Sequence, residues 1–276
     1  MSDTPYTFDS PDADIILRAP LHPDDPESTE FKDLHTHKVI LSTSSAFFHG
    51  MFSVPQPHQP DEDDTNLPVV HVVEPAEVFE LFLRLIYPIE PPVIDSIQIV
   101  DHLSQLAIKY MVGCVRARLK QVLVSPSFLT NDPIWVYAIA CRMDLDEVAK
   151  LAVPHTYQID LTRDIPRPLL RAMTAETYNS LLRSHATRRE ELTVAVNQTK
   201  INGCGCSCGP WFYTRLILLM RLAIGEKPFL DRQRLDSCLS QVEHKSECKC
   251  GSSCRVSAQV ISTYFTNVLN EIGKLV

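Results

Sequence analysis

Residues 34–53, LHTHKVILSTSSAFFHGMFS, constrain the fold more than any other stretch. Val39, Ile40, Thr43, Phe47, Phe48, Met51 and Phe52 recur every three or four residues, the spacing that lines side chains along one helix face. The flanks follow a different pattern. DIILRA at 14–19 is short, β-branched and bounded by prolines, and FKDL at 31–34 follows a polar, proline-bearing loop, so the two read as a hairpin. The proline- and acid-rich segment 54–68 reads as an exposed loop, and VVHVV at 69–73 as a third strand. Helical residues enclosed by strands predict an α+β fold, a small sheet with helices around it.

From residue 74 onward the pattern is helical. Glu74-Pro75-Ala76-Glu77 opens a helix with proline and acids in the first turn, and Val78, Phe79, Phe82, Leu85 and Ile86 form its apolar face. YPIEPP at 87–92 ends it. Two further amphipathic helices carry Val100, Leu103, Ala107, Tyr110 and Met111, then Val115, Leu119 and Val122. Ser125-Pro126 and Asp132-Pro133 read as N-caps followed by first-turn prolines, Asp144 as the cap of a capping box with Glu147, and Thr174 as the cap of a helix bearing Tyr178, Leu181 and Leu182. Residues 125–195 contain no strand signal.

Composition excludes several function classes. The chain has 276 residues, a net charge of -8 and 8 glycines, and it lacks both GxGxxG and GxxxxGK[ST]. An acidic chain does not suit non-specific nucleic-acid or anionic-membrane binding, and few glycines mean few phosphate-cradling loops. The polar start MSDTPYTFDSPDAD is not a signal peptide, and LILLM at 216–220 is too short to span a bilayer. With 9 cysteines, an odd number, the expectation is an intracellular protein, cytoplasmic or nuclear, rather than a disulfide framework.

A strand pair feeds a helix reading H-K-x-x-L-x-x-x-S-x-x-F-x-x-M-F; a third strand, a helix ending Ile-Tyr and a helical pair through KYxxxxV follow. This order resembles a BTB/POZ domain over residues 10–124. The likeness rests on Asp14, Ile15, His37, Lys38, Leu41, Ser45, Phe48, Met51, Phe52, Tyr87, Ala107, Lys109 and Tyr110. RMDLDEVAKLA and LLRAMTAETYNSLL resemble fungal BTB-domain proteins, which extends the likeness to about residue 195. The helices at 127–158 resemble the BACK-like hairpins that often follow a BTB domain. The resemblance divides the chain into a BTB domain (10–124), a BACK-like helical region (125–195) and a Cys-rich helical module (196–276).

The resemblance makes His37 a structural residue with a hydrogen-bonded ring, and packs the Phe and Met residues beneath the sheet. The alternative for His37, a metal or catalytic role, lacks an accompanying Cys or carboxylate pattern. Asp14 and Lys38 match positions where the family places an opposite-charge pair near a shallow groove, read here as fold-stabilising in preference to a ligand pocket. His35 is expected to be solvated or half-buried.

Two cysteine clusters stand apart: NGCGCSCGPWF with Cys204, Cys206 and Cys208, and EHKSECKCGSSCRV with Cys248, Cys250 and Cys254. Zinc takes four ligands in a tetrahedron, and neighbouring glycines let sulfurs converge. Four of these six thiols suit one structural zinc, with the helix from Trp211 to Ala223 closing the site. The spacings are C-x-C and C-x3-C rather than C-x2-C, so free or redox-labile thiols and disulfides stay open. No other cofactor is expected.

By resemblance, the chain is a protein–protein interaction module, assembling with itself or with partner chains. Two narrower roles are an adaptor for a cullin-type ubiquitin ligase and a transcriptional co-regulator. Against the first, only Pro60-Asp61-Glu62 loosely fits the family's apolar-x-Glu signature; against DNA binding, RLILLMR and RREEL are poor reading helices. Catalysis is not expected. His155, His185 and Glu190 are the candidate bases, none beside a nucleophile, and His185 reads as solvated.

Overall fold

The computed structural model describes residues 6–23, 25, 28–54, 67–163, 165–198, 209–243 and 258–273. The chain divides into two compact units, Met1–Ala152 and Val153–Val276.

The first unit is α+β. Strand β1 (Ile15–Pro20) pairs antiparallel with β2 (Phe31–Thr36), from Ile15 opposite Thr36 to Pro20 opposite Phe31. It also pairs in parallel with β3 (Val69–His71), from Ile16 opposite Val69, giving the order β2-β1-β3. As the central strand, β1 buries Ile15, Ile16 and Leu17 in succession rather than in alternation, because both of its faces are covered. β3 is shorter than VVHVV predicts: Val72 still donates its N–H to Arg18, but Val73 is exposed.

Helices α1 (Lys38–Ser44) and α2 (Ala46–Ser53) make the connection from β2 towards β3. The periodic stretch is two helices because Ser45 lies between them in an extended conformation, φ -138° and ψ 119°. The break resets the helical phase. Leu41 and Phe48 reach the core, Met51 and Phe52 are half-buried, Phe47 lies at the surface and Val39 is 70% exposed. Helices α3 (Ala76–Ile86), α4 (Ile97–Lys109) and α5 (Gly113–Leu123) supply the rest of the core through Phe79, Phe82, Leu83, Leu103 and Leu119.

Helices α6 (Pro126–Asn131) and α7 (Pro133–Arg142) start where the Ser-Pro and Asp-Pro pairs predict, although neither Ser125 nor Asp132 makes a side-chain cap bond. Arg142 of α7 bonds buried Asp101 and donates to Ser104 at 2.7 Å, tying α7 to α4. Asp144 is not a capping-box cap. Its φ is +52°, and it closes α7: its N–H donates to Cys141 O, and that of Leu145 to Ala140 O. Helix α8 (Asp146–Thr156) runs through the division between the units.

Among the described residues the second unit is helical: α9 (Arg167–Ala172), α10 (Ala175–Gln198), α11 (Gly209–Glu226), α12 (Arg232–Glu243) and α13 (Ala258–Gly273). Leu192, Val196, Leu216, Met220, Leu235, Phe265 and Val268 form one apolar cluster. Thr174 is a true cap, its Oγ1 accepting from Thr177 N at 3.1 Å. Arg234 secures the α11–α12 turn by donating to Phe229 O and Ala223 O, each at 2.8 Å.

Candidate interaction surface

Ser45 and Tyr110 together organise the first unit. Ser45 Oγ accepts from Phe48 N at 3.1 Å, capping α2, and donates to Tyr110 O at 2.5 Å. One buried hydroxyl thus fixes the α1–α2 break against the α4–α5 turn. The Tyr110 ring stacks on Phe48 with centroids 5.1 Å apart, and Phe79 and Phe82 lie within 6 Å of it. Its hydroxyl donates to Glu74 Oε2 at 2.9 Å, and Glu74 also bonds Lys109. Burial, then the Glu74 carboxylate, push the Tyr110 hydroxyl well above the usual tyrosine range, so it stays a donor. The sequence marks Ser45 and Tyr110 as motif positions. It does not mark Glu74, which reads there only as a helix-opening acid.

On the solvent side of this hub the Lys109 ammonium lies 5.0 Å from the Tyr110 ring centroid, and apolar side chains accompany it. Phe47 lies edge-on to Tyr110 at 5.2 Å and is 38% exposed; Ile108 is 47% and Met111 58% exposed. The expectation that Met111 faces the core is therefore wrong. Met111 ends α4 in the left-handed region, φ +50°, its N–H donating to Ile108 O while that of Val112 donates to Ala107 O. Glycine or asparagine normally fills such a turn, and a side chain like methionine costs roughly 1 kcal/mol there.

His37 is hydrogen-bonded within the fold. Its Nδ1 lies 3.2 Å from Tyr87 Oη, and its Nε2 3.4 Å from Asp12 Oδ1. Tyr87 Oη also accepts from His37 N at 2.9 Å, and burial pushes its hydroxyl up to about 12. Asp14 does not pair with the Lys38 ammonium. Its Oδ1 accepts from the Lys38 backbone N–H at 2.7 Å, capping α1 from a distant part of the chain. His35 is half-buried.

His155 and Glu190 are exposed, but His185 is not the solvated histidine that its charged neighbours in sequence predict: it is 0% exposed, and burial pushes its ring down to about 4. Cys204, Cys206, Cys208, Cys248, Cys250 and Cys254 lie outside the described residues. Among the described residues no three His, Cys, Asp or Glu side chains gather as a metal site, and no helix there is long and apolar enough to cross a membrane.

A comparison with curated proteins returned no match. The family model for the BTB/POZ domain matches residues 28–127, from just before β2 into α6. The sheet of this unit also takes its central strand, β1, from upstream of the match. The match covers the Ser45–Tyr110 hub and strands β2 and β3, and the chain is a BTB/POZ domain-containing protein.

Proposed function

We propose that the chain assembles with other proteins through its BTB domain and that the apolar cluster of Phe47, Ile108 and Met111 is the contact surface. BTB domains are protein–protein interaction modules. The observation that carries the reading is Met111, an exposed apolar side chain kept in a backbone conformation that disfavours it. Such an outlier points to a use that outweighs its cost. Self-pairing is the simplest assembly, because a two-fold pair buries the same patch twice. The work is done inside the cell, in cytoplasm or nucleus, where an exposed thiol such as Cys114 stays reduced. No reaction is assigned to the chain; among the described residues the one fully buried histidine, His185, lies against the Thr156 hydroxyl and the Tyr157 ring with no exposed surface of its own.

Met111→Gly tests this, since it relieves the strain and removes the side chain. The full chain should melt higher, by the equivalent of about 1 kcal/mol, while sedimentation velocity shows weaker self-association. A variant that melts higher and associates undiminished would remove Met111 from the contact. A wild-type chain that stays monomeric but binds the N-terminal region of a cullin, with Met111→Gly weakening that binding, would make the assembly heterotypic and favour the ligase-adaptor role. The same pattern with a corepressor would favour the co-regulator role.

A further inference from the structure

The net charge of -8 is unevenly spread. The first unit, Met1–Ala152, carries 10 Lys and Arg against 23 Asp and Glu, a net charge of -13; the second, Val153–Val276, carries 16 against 11, a net charge of +5. Ion pairs within the second unit absorb some of its arginines: Arg163 meets Asp160 at 3.8 Å, Arg232 meets Asp236 at 3.3 Å and Arg234 meets Glu226 at 3.7 Å. Arg167 and Arg171 differ. They stand four residues apart on α9, so one face of the helix carries both, and both are exposed. Leu170 stands beside them, 43% exposed, while Leu169, on the opposite face, is buried and seats the helix. Among the described residues neither arginine meets a carboxylate. The first unit holds the converse arrangement in the loop EPPVID between α3 and α4. Glu90 and Asp95 are exposed and pair with no Lys or Arg among the described residues, and Val93 between them is 93% exposed.

We propose that the Arg167–Leu170–Arg171 face of α9 docks on the Glu90–Asp95 loop of a second copy, joining copies head to tail. The two surfaces are complementary in charge and in kind: two cations beside an exposed leucine face two anions beside an exposed valine. A guanidinium presents a planar fork of donors that fits a carboxylate with two hydrogen bonds. Pro91 and Pro92 stiffen the loop, so little freedom is lost when it is held. Two copies repel through their net charge, but the Debye length at physiological salt is about 8 Å, and the charges at the contact outweigh those farther off. A nucleic acid fits this face less well. Its backbone rewards many phosphate contacts where α9 offers two arginines, and it gives Leu170 no apolar partner. The contact joins different surfaces on the two copies, so it extends an assembly rather than closing a pair. It is separate from the surface of Phe47, Ile108 and Met111.

Charge reversal in the full chain, read by sedimentation velocity at low salt, tests the contact. One chain carries Arg167→Glu with Arg171→Glu, the other Glu90→Lys with Asp95→Lys. Each alone sets like charges against each other and should associate about tenfold more weakly than wild type, or less tightly still. Mixed in equal amounts, the two chains present opposite charges at every contact, and association should return to the wild-type level. The apolar pairing through Phe47, Ile108 and Met111 is common to all samples and does not enter the comparison. Either chain associating as wild type does, or a mixture that stays as weak as its components, would overturn the proposal; the second result would also follow if α9 met the loop of its own chain. A short DNA duplex that binds wild type but not the Arg167→Glu, Arg171→Glu chain would give α9 to nucleic acid and overturn it too. If a reversed chain fails to fold, wild type decides: its association should weaken about tenfold between about 50 mM and about 500 mM NaCl, and an association indifferent to salt would overturn the proposal.

Discussion

His185 makes the second unit sensitive to acid, by an amount the structure sets. The ring of His185 is fully buried on α10, with Nε2 2.9 Å from Thr156 Oγ1. Thr156 spends its own hydroxyl proton on Val153 O at 2.6 Å, so it accepts from His185, and the ring carries its hydrogen on Nε2. Nδ1 is buried with no partner. A proton added there would be an unmet donor in a dry site beside the Arg189 cation, and burial, with Arg189 second, lowers the ring from 6.5 to about 4. Between those values the unfolded chain binds a proton that the folded chain refuses. The resulting stabilisation is complete above the unfolded value and is lost as pH falls from 6.5 through 4. The whole shift corresponds to about 3 kcal/mol, of which about 2 kcal/mol disappears between about pH 7 and about pH 5. His185→Gln keeps a donor near Thr156 and removes the titration. Native-state hydrogen exchange of α10 amides at the two pH values measures the difference: wild type should lose about 2 kcal/mol more than the variant. An equal loss in both, or a His185 ring that titrates near 6.5 by NMR, would refute the reasoning.

Two further outcomes follow from the same physics. Ser45→Ala removes the α2 cap and leaves Tyr110 O without its donor, and should lower stability by about 2 kcal/mol in urea unfolding; a change under about 0.5 kcal/mol would mean that the hub does not depend on this hydroxyl. We also propose that four of Cys204, Cys206, Cys208, Cys248, Cys250 and Cys254 hold one structural zinc. Elemental analysis of reduced full-length protein should find one zinc per chain, with chelation loosening the second unit, and metal-free protein of unchanged stability would end that reading.

What could be read in advance followed the length scale of the interactions. The hairpin, the switch to helical period at residue 37 and the helix-opening prolines are local signals, and they reappear as β1, β2, α1, α6 and α7. The sense of a helix face was harder. Val39 and Met111 lie on the expected apolar stripes yet face solvent, because the extended Ser45 resets one helix and a left-handed turn ends the other. The charges around His185 in sequence pointed outward, but Thr156 and Tyr157 come from another helix and the turn after it, and they seal the ring in. The Phe8–His35 bond, the Glu74–Tyr110 bond and the Asp101–Arg142 tie join residues far apart in sequence without any periodicity, so nothing local announced them. The cysteine clusters, the part of the sequence closest to a metal-ligand pattern, lie outside the described residues.

Radical footprinting of the full chain over a dilution series bears most directly on the claim that the Phe47–Ile108–Met111 cluster is an assembly surface. Leu21, exposed at the end of the hairpin away from α1, serves as the reference. The account predicts that labelling of Phe47 and Met111 falls relative to Leu21 as the protein associates, or on adding a partner it binds. Association that leaves both residues as reactive as in the dilute chain would contradict it.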